Sequence, residues 1–441
     1  MILSIITQVL LQAGTVGKDI ALPLPVPEWL LIVVLIIMFL IHLVFVNLMF
    51  GGTLLTLIYE ILGKKKMEYH ALSQIIANTI TVNKSLAVVM GVAPLLAINT
   101  LYTKFFYTAN ALTGLVWIMV VPLLIIAFLL LYLHKYTYNH FDEKRNIHIG
   151  ILIVPMAIFL FIPLIFLTNI NLMLFPDKWS VVSGFWDALF LPTVFSRYFH
   201  FINASLALTG LYLFWHVGRK SYFTDGKFSS TVNQQLKKQF YQITFYASLA
   251  QFVIGPIILL TLPTAGIKTN TLFIIIGGAL IAIVPTFYLW KEITGDISLI
   301  GKYFALISIS MFVIVVLMGS GRHVYRANAL EPYRIAMKKN TEGYAAELKK
   351  AQKDVLIISG DQQTGKALFE SKCMMCHSTN KNLIGPSLKE VVSLYKGNQS
   401  GMINWIKEPG KKRPNSSQMP SFKGQMSQKE LEALTLSLIH I

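Results

Sequence analysis

Cysteine, charge and buried acid are all scarce in this sequence. Only two of its 441 residues are cysteines, and both fall within one five-residue stretch, Cys373 to His377. That excludes a disulfide framework and any site built from several thiolates. Charged residues make up 13% of the chain and apolar residues 54%. A soluble domain carries about 25% charged residues, so a soluble protein of this length is excluded. No aspartate or glutamate lies deep inside the long apolar runs; Glu28, Glu60 and Glu292 stand at their ends. Transfer of protons to a centre within a membrane calls for buried carboxylates or histidines, so the carboxylate route is missing. Internal repeats and low-complexity segments are also absent. The net charge of +17 comes from the loops and the tail, and nucleic acid is not expected as a partner.

What is present is a series of apolar runs of 18 or more residues between about 28 and 320, the signature of membrane-spanning helices. The fold class is therefore all-α, a polytopic transmembrane bundle of about eight helices embedded in a lipid bilayer. The spans are predicted near 29–62, 79–101, 112–133, 149–174, 192–216, 242–262, 271–290 and 303–321. Met1–Leu11 is apolar without a basic flank and reads as an interfacial helix, with a cleaved signal peptide as the alternative. The loops after odd-numbered spans are rich in lysine and arginine, while those after even-numbered spans hold only Lys104, Lys178 and Lys268. The basic loops belong in the cytoplasm, which places both termini outside. The basic segment after the eighth span (Arg322, Arg326, Arg334, Lys338, Lys339) runs against that rule, but long translocated domains escape it. Residues 322–360 read as a helical connector and 361–441 as a soluble α-helical domain.

Cys373-Met374-Met375-Cys376-His377 is C-x-x-C-H, the attachment motif for a covalent haem c. The thiols bond the porphyrin, and the adjacent histidine reaches the iron. A zinc half-site is the competing explanation, but zinc would need further ligands and no other cysteine exists. Covalent haem is attached outside the cytoplasm, which agrees with the placement of the tail. Gly365, Phe369, the motif and Gly385-Pro386 resemble the start of a class I cytochrome c domain. In that family a loop methionine at the place of Met419 is the second axial ligand. Met375 lies inside the motif and Met402 on a predicted helix, so both are weaker candidates. A bland alternative makes Met419 a buried filler. Histidine–methionine ligation raises the reduction potential. The domain has 11 basic against 6 acidic residues, which suits docking of an acidic electron carrier or is simply a solvated basic face.

Ionisable residues within spans default to functional hypotheses. His42 sits in the middle of the first span, His200 inside the outer end of the fifth, and His323 just after the eighth. Ligation of one or more haem b groups is the functional reading, and a hydrogen-bonded packing histidine the structural one. His134, His140, His148 and His216 lie at the inner boundary, where snorkelling accounts for them. The same is expected of Lys84 and Arg197. His70 and His440 read as exposed.

The order of several segments resembles subunit I of cytochrome bd-type oxidases. These are His42-Leu43-Val44-Phe45-Val46 with Gly51 and Glu60, then Met90-Gly91-Val92-Ala93, Tyr198-Phe199-His200 with Ala204-Ser205 and Gly210, and Gly321-Arg322-His323. The resemblance spans roughly 30–325. It implies that His42 ligates a haem of the oxygen-reducing pair, that His200 ligates the low-spin haem b, and that Arg322 lies near haem propionates. Departures are equally specific. The family's methionine ligand corresponds to Ile275 or a neighbour, its two glutamates to about Asn99 and to Gly319, and its long quinol loop to only Pro263–Asn270. His323 then becomes a replacement iron ligand.

The domains expected are 1–321, 322–360 and 361–441. The function expected is a respiratory terminal reductase of oxygen or nitric oxide, with the haem c as its electron port. The alternative is a cytochrome b/c relay without reduction of a small molecule; a mere anchor would not need eight spans. The resemblance implies a second membrane subunit, and the tail a periplasmic electron-carrier protein. The expected location is the bacterial inner membrane, with the cytochrome c domain on the periplasmic side.

Overall fold

The computed structural model describes residues 23–138, 140, 144–219, 228–411 and 417–439, the side chains of 80–85 and 351–362 excepted. The expected helix at Met1–Leu11, the side chain of Lys84, and His440 lie outside the described residues. The described elements are helices α1 Glu28–Leu62, α2 Met67–Leu101, α3 Thr103–Ile118, α4 Val120–Tyr136, α5 Arg145–Leu172, α6 Phe185–Leu189, α7 Val194–Val217, α8 Ser230–Thr261, α9 Thr269–Thr294, α10 Phe304–Lys372, α11 Leu388–Leu394, α12 Gln399–Lys407 and α13 Gln428–Ile439, with short 3-10 turns between some of them. No strand occurs among the described residues. One compact unit comprises Leu22–Arg334 and the other includes Ile335–Ile441.

Each predicted span coincides with helix. Six segments among the described residues are long and apolar enough to cross a membrane: α1, α3 with α4, α5, α8, α9, and the first part of α10. The other two expected spans are α2 and α7. In α2 the stretch Leu86–Leu101 is apolar but shorter than 18 residues among the described ones, and α7 is more polar, holding Ser196, Arg197, His200, Asn203, Ser205, Thr209 and His216.

Backbone groups inside a bilayer must be satisfied by the protein, which is why helices dominate here. Buried hydroxyls return to their own helix: Thr53 donates to Met49 O (2.7 Å) and Thr56 to Gly52 O (2.8 Å). Interior prolines (Pro94, Pro155, Pro163, Pro256, Pro285) are carried within helices, as membrane helices allow. The core gathers Phe50, Leu72, Ile76, Leu152, Leu213, Phe240 and Tyr241. Large apolar side chains such as Leu260 and Phe273 face outward, as lipid contact requires.

Small residues set the closest helix approaches. A side chain at Gly51 would meet Thr209 and Ser205 on α7, and one at Gly210 would meet Thr244 and Phe240 on α8. These glycines belong to the segments that carried the bd-type resemblance, so that resemblance reads helix packing as much as chemistry.

Candidate functional site

In the C-terminal unit, α10 ends at Lys372 and the chain turns at once into the haem motif. His377 N donates to Cys373 O (3.0 Å) and Cys376 N to the same carbonyl (3.1 Å). The two thiols are thus held in one tight turn, and they are free rather than disulfide-bonded. Burial, with the neighbouring Cys376, pushes the Cys373 thiol up. His377 Nδ1 lies 2.7 Å from Pro386 O. A carbonyl only accepts, so Nδ1 carries the hydrogen and Nε2 is left as the basic nitrogen. That is how a metal-ligating imidazole is oriented.

Gly385 fits against this ring. A Cβ there would stand 2.9 Å from both Nδ1 and Nε2 of His377 and nearer still to Cε1. Gly385→Ala is therefore expected to displace the ring and weaken its bond to Pro386. The cost should be about 1–3 kcal/mol, the usual range for overpacking. A thermal melt of the full chain followed at the haem c absorption measures it; an unchanged melting temperature would contradict the packing described.

The methionines separate by environment. Met375 is 89% exposed, whereas Met402 is buried at 2% in the domain core. Met419 is partly buried and packs, with Cys373, against the cluster formed by Phe369, Leu388, Ile403, Phe422 and Leu434. The residues present fit a covalent haem c: two free thiols, an oriented imidazole and a half-buried thioether in one domain.

In the membrane unit the sequence-predicted histidines occupy distinct settings. His42 Nδ1 lies 2.7 Å from Ala87 O on α2, so it donates there and leaves Nε2 as the basic nitrogen. Gly91, also on α2, makes room for the ring: a Cβ there would lie 2.8 Å from His42 Cε1. On α7, His200 Nδ1 is buried beside the Gln251 side chain of α8, which also donates to His200 O (2.9 Å), and His323 Nδ1 on α10 is buried with no hydrogen-bond partner. Sparsely partnered buried nitrogens are costly, and such sites call for a ligand. The residues fit haem b at His42 and His200 on these grounds.

A register connects the two. Ser205 Oγ donates to Asn47 Oδ1 (2.9 Å) across α1 and α7, a separation of 158 positions. Thr209 continues the contact at Asn47 O (3.2 Å) and Gly51. Contacts that advance together on both helices mean that the helices are parallel. His200 follows His42 by the same 158 positions. The two histidines therefore share one membrane level. Five residues turn a helix by about 140° from a contact line, so each ring points away from the α1–α7 seam.

Arg197, Arg322 and Arg326 lie within electrostatic range of one another, and Arg197 and Arg322 within range of His200. Arg322 stacks over Phe39 (5.0 Å) and Arg326 over Tyr102 (5.5 Å). None of the three makes an ion pair among the described residues. Snorkelling was expected for Arg197; instead it belongs to an inward cationic group that lacks an acidic partner.

Other expectations need correction. His134 and His148 do not snorkel to the boundary: they are 1% and 2% exposed and clasp Glu60. His216 is likewise buried, close to Thr79 (3.3 Å) and Arg219 (3.0 Å). His70, expected to be exposed, is half-buried and stacks on Tyr138. Sequence reasoning missed the carboxylate–histidine group because its members lie 74 and 88 positions apart. The clue available was that three residues at nominal boundaries were all titratable.

The departures also have a physical form. At Gly319 a side chain would meet Leu40 Cδ2 at 2.5 Å, so Leu40 fills the space of a carboxylate there. Asn99 Oδ1 is buried without a partner. The α8–α9 connection is folded onto α10: Tyr325 Oη donates to Pro263 O (3.0 Å), and Asn328 bonds Asn270 and Thr271.

Residues 362–436 match the Cytochrome c family. Similar proteins include cytochrome c from Theileria parva (41% identical over 58 residues, 13% of this chain and 48% of that protein) and cytochrome c-551 from Azotobacter vinelandii (40% over 45 residues, 10% of this chain and 54% of that one). The chain spans about half the length of these curated relatives. The structure of bd oxidase from Geobacillus thermodenitrificans superposes with a TM-score of 0.58 at 13% identity, covering 74% of this chain and 90% of that one. The chain is thus a helical membrane domain of the bd-oxidase fold joined to a C-terminal cytochrome c domain that supports a covalent haem c.

Proposed function

We propose that this protein is the electron-transferring core of a bacterial inner-membrane terminal reductase for oxygen or nitric oxide, with the periplasmic cytochrome c domain as its electron port. The observation that carries this reading is the pair His42 and His200. They stand at one membrane level on opposite sides of the α1–α7 seam, each with a ring nitrogen available to a ligand. Bound haem supplies one-electron redox chemistry at such sites. His42, held by Ala87, and His200 hold haem b. The unpaired charges of Arg197 and Arg322 hold its propionates, and His377 and Met419 hold the haem c. His323 is a further candidate ligand. Pro263–Asn270 leaves no long quinol loop, which favours a soluble electron-carrier protein as donor. A second membrane subunit completes the assembly.

A relay without turnover is favoured by one observation: Leu40 occupies the space at Gly319 where the resemblance places a carboxylate. Consumption of oxygen or nitric oxide by the purified protein, with a reduced cytochrome as donor, distinguishes the two. Turnover is expected. Its absence, together with a spectrum that is entirely low-spin, would overturn the reductase reading and leave the relay.

A further inference from the structure

Two of the histidines that snorkelling failed to explain form, with Glu60, a compact set of metal-binding type. Glu60 comes from the last turn of α1, His134 from the last turn of α4, and His148 from the first turn of α5. All three are buried, and one ligand atom from each falls within 4.8 Å of the others. His134 Nε2 lies 2.7 Å from Glu60 Oε2, and His148 Nδ1 bonds Glu60 Oε1. The imidazole rings stack with centroids 3.9 Å apart, so both present a nitrogen to the same carboxylate.

The second observation concerns the far side of His148. Its Nε2 lies 2.8 Å from His134 O. A carbonyl accepts only, so Nε2 carries a hydrogen and Nδ1 is the nitrogen turned inward. A ligating histidine is held in this way, with its outer N–H on a carbonyl. His148 is therefore oriented for a ligand by a backbone group that would be the same with or without one. Tyr138 packs its ring edge-on against both imidazoles and closes the set against the loop side.

We propose that Glu60, His134 and His148 bind a divalent transition-metal ion, of which zinc is the reference case. Two imidazoles and one carboxylate suit zinc and its neighbours, whereas calcium and magnesium favour all-oxygen shells. Three protein ligands leave a fourth position to water. The ion takes the place of the hydrogen that bridges His148 Nδ1 and Glu60. His134 offers Nε2 once its hydrogen is carried on Nδ1. One proton leaves the set for each ion that enters. The ion would pin the ends of α1, α4 and α5 together, separately from the haem histidines of α1 and α7.

The test uses the haem-loaded full chain, stripped with chelator, given zinc(II) in slight excess and desalted. One zinc per haem c is expected by elemental analysis. Zinc-edge X-ray absorption should then show nitrogen and oxygen scatterers, imidazole among them, at about 2.0–2.1 Å. His148→Ala and Glu60→Gln should each weaken zinc retention at least tenfold while the covalent haem c stays unchanged. A wild-type chain that keeps no zinc overturns the proposal. So do sulfur scatterers, and so do variants that retain zinc as the wild type does. Should both variants fail to fold, the wild-type stoichiometry and edge spectrum alone decide.

Discussion

Replacing His200 by alanine is expected to remove one extractable haem per chain and to leave the covalent haem c in place. The expectation follows from two facts about its setting. A ring nitrogen is buried with only the Gln251 side chain beside it, a setting in which a ligand to that nitrogen is stabilising. Around it stand Arg197 and Arg322, buried cations with no carboxylate in ion-pair contact. A haem would satisfy both at once, its iron taking the nitrogen and its propionates the guanidinium groups. The measurement is the ratio of acid-extractable to covalent haem in purified wild type and His200→Ala. His216→Ala serves as the control on the same helix, because His216 already has Thr79 and Arg219 beside it. An unchanged ratio in His200→Ala, or an equal loss in His216→Ala, would mean that His200 only packs.

The loss should be close to complete at that site. An arginine pair left without its anion also repels itself, so Arg322→Leu should lower haem retention less than His200→Ala does. Removing one cation weakens the propionate contact and relieves repulsion at the same time. The spectrum of the retained haem separates these effects.

How much of this was visible beforehand depends on whether the relevant signal is local. The haem c motif lies within five residues, and a reader of Cys373–His377 needs nothing further to expect a haem. The apolar runs are local too, which is why each predicted span falls on helix, the one near 112–133 across the break between α3 and α4. Packing across helices is not local. Nothing in the run around Glu60 indicates that His134 and His148 converge on it, since each sits at its own helix end and reads as a boundary residue. The same holds for Leu40, an ordinary apolar residue two positions before His42 that turns out to fill the space beside Gly319. Arg197 and Arg326 read separately as snorkelling and connector residues, and only the fold puts them near Arg322. The register between α1 and α7 lies between these cases. Asn47, Gly51, Ser205 and Thr209 are polar or small at helical spacing, a pattern that fits close packing in membranes, but their pairing needs the structure.

Met419→Leu is expected to lower the reduction potential of the haem c by tenths of a volt, out of the roughly 0.8 V over which axial ligands set haem potentials. Leucine is chosen because it nearly conserves methionine's volume, so the partly buried contact with the domain core survives while the thioether is removed. Met419→Ala adds a packing loss and should show the same fall in potential with lower stability. The competing thioethers are excluded by their surroundings: Met375 projects into solvent, and Met402 and Met426 are enclosed by the apolar core. Loss of a soft sulfur ligand favours the ferric over the ferrous iron, which is what lowers the potential. Potentiometric titration of the haem c in the full chain measures it. If the potential held in both variants, Met419 would be the buried filler of the alternative reading, and the second axial position would belong to another group. The consequence reaches the membrane domain as well. A haem c held by His377 alone would be poorly placed to accept electrons from a high-potential carrier, and turnover with a reduced cytochrome should fall in the same variants.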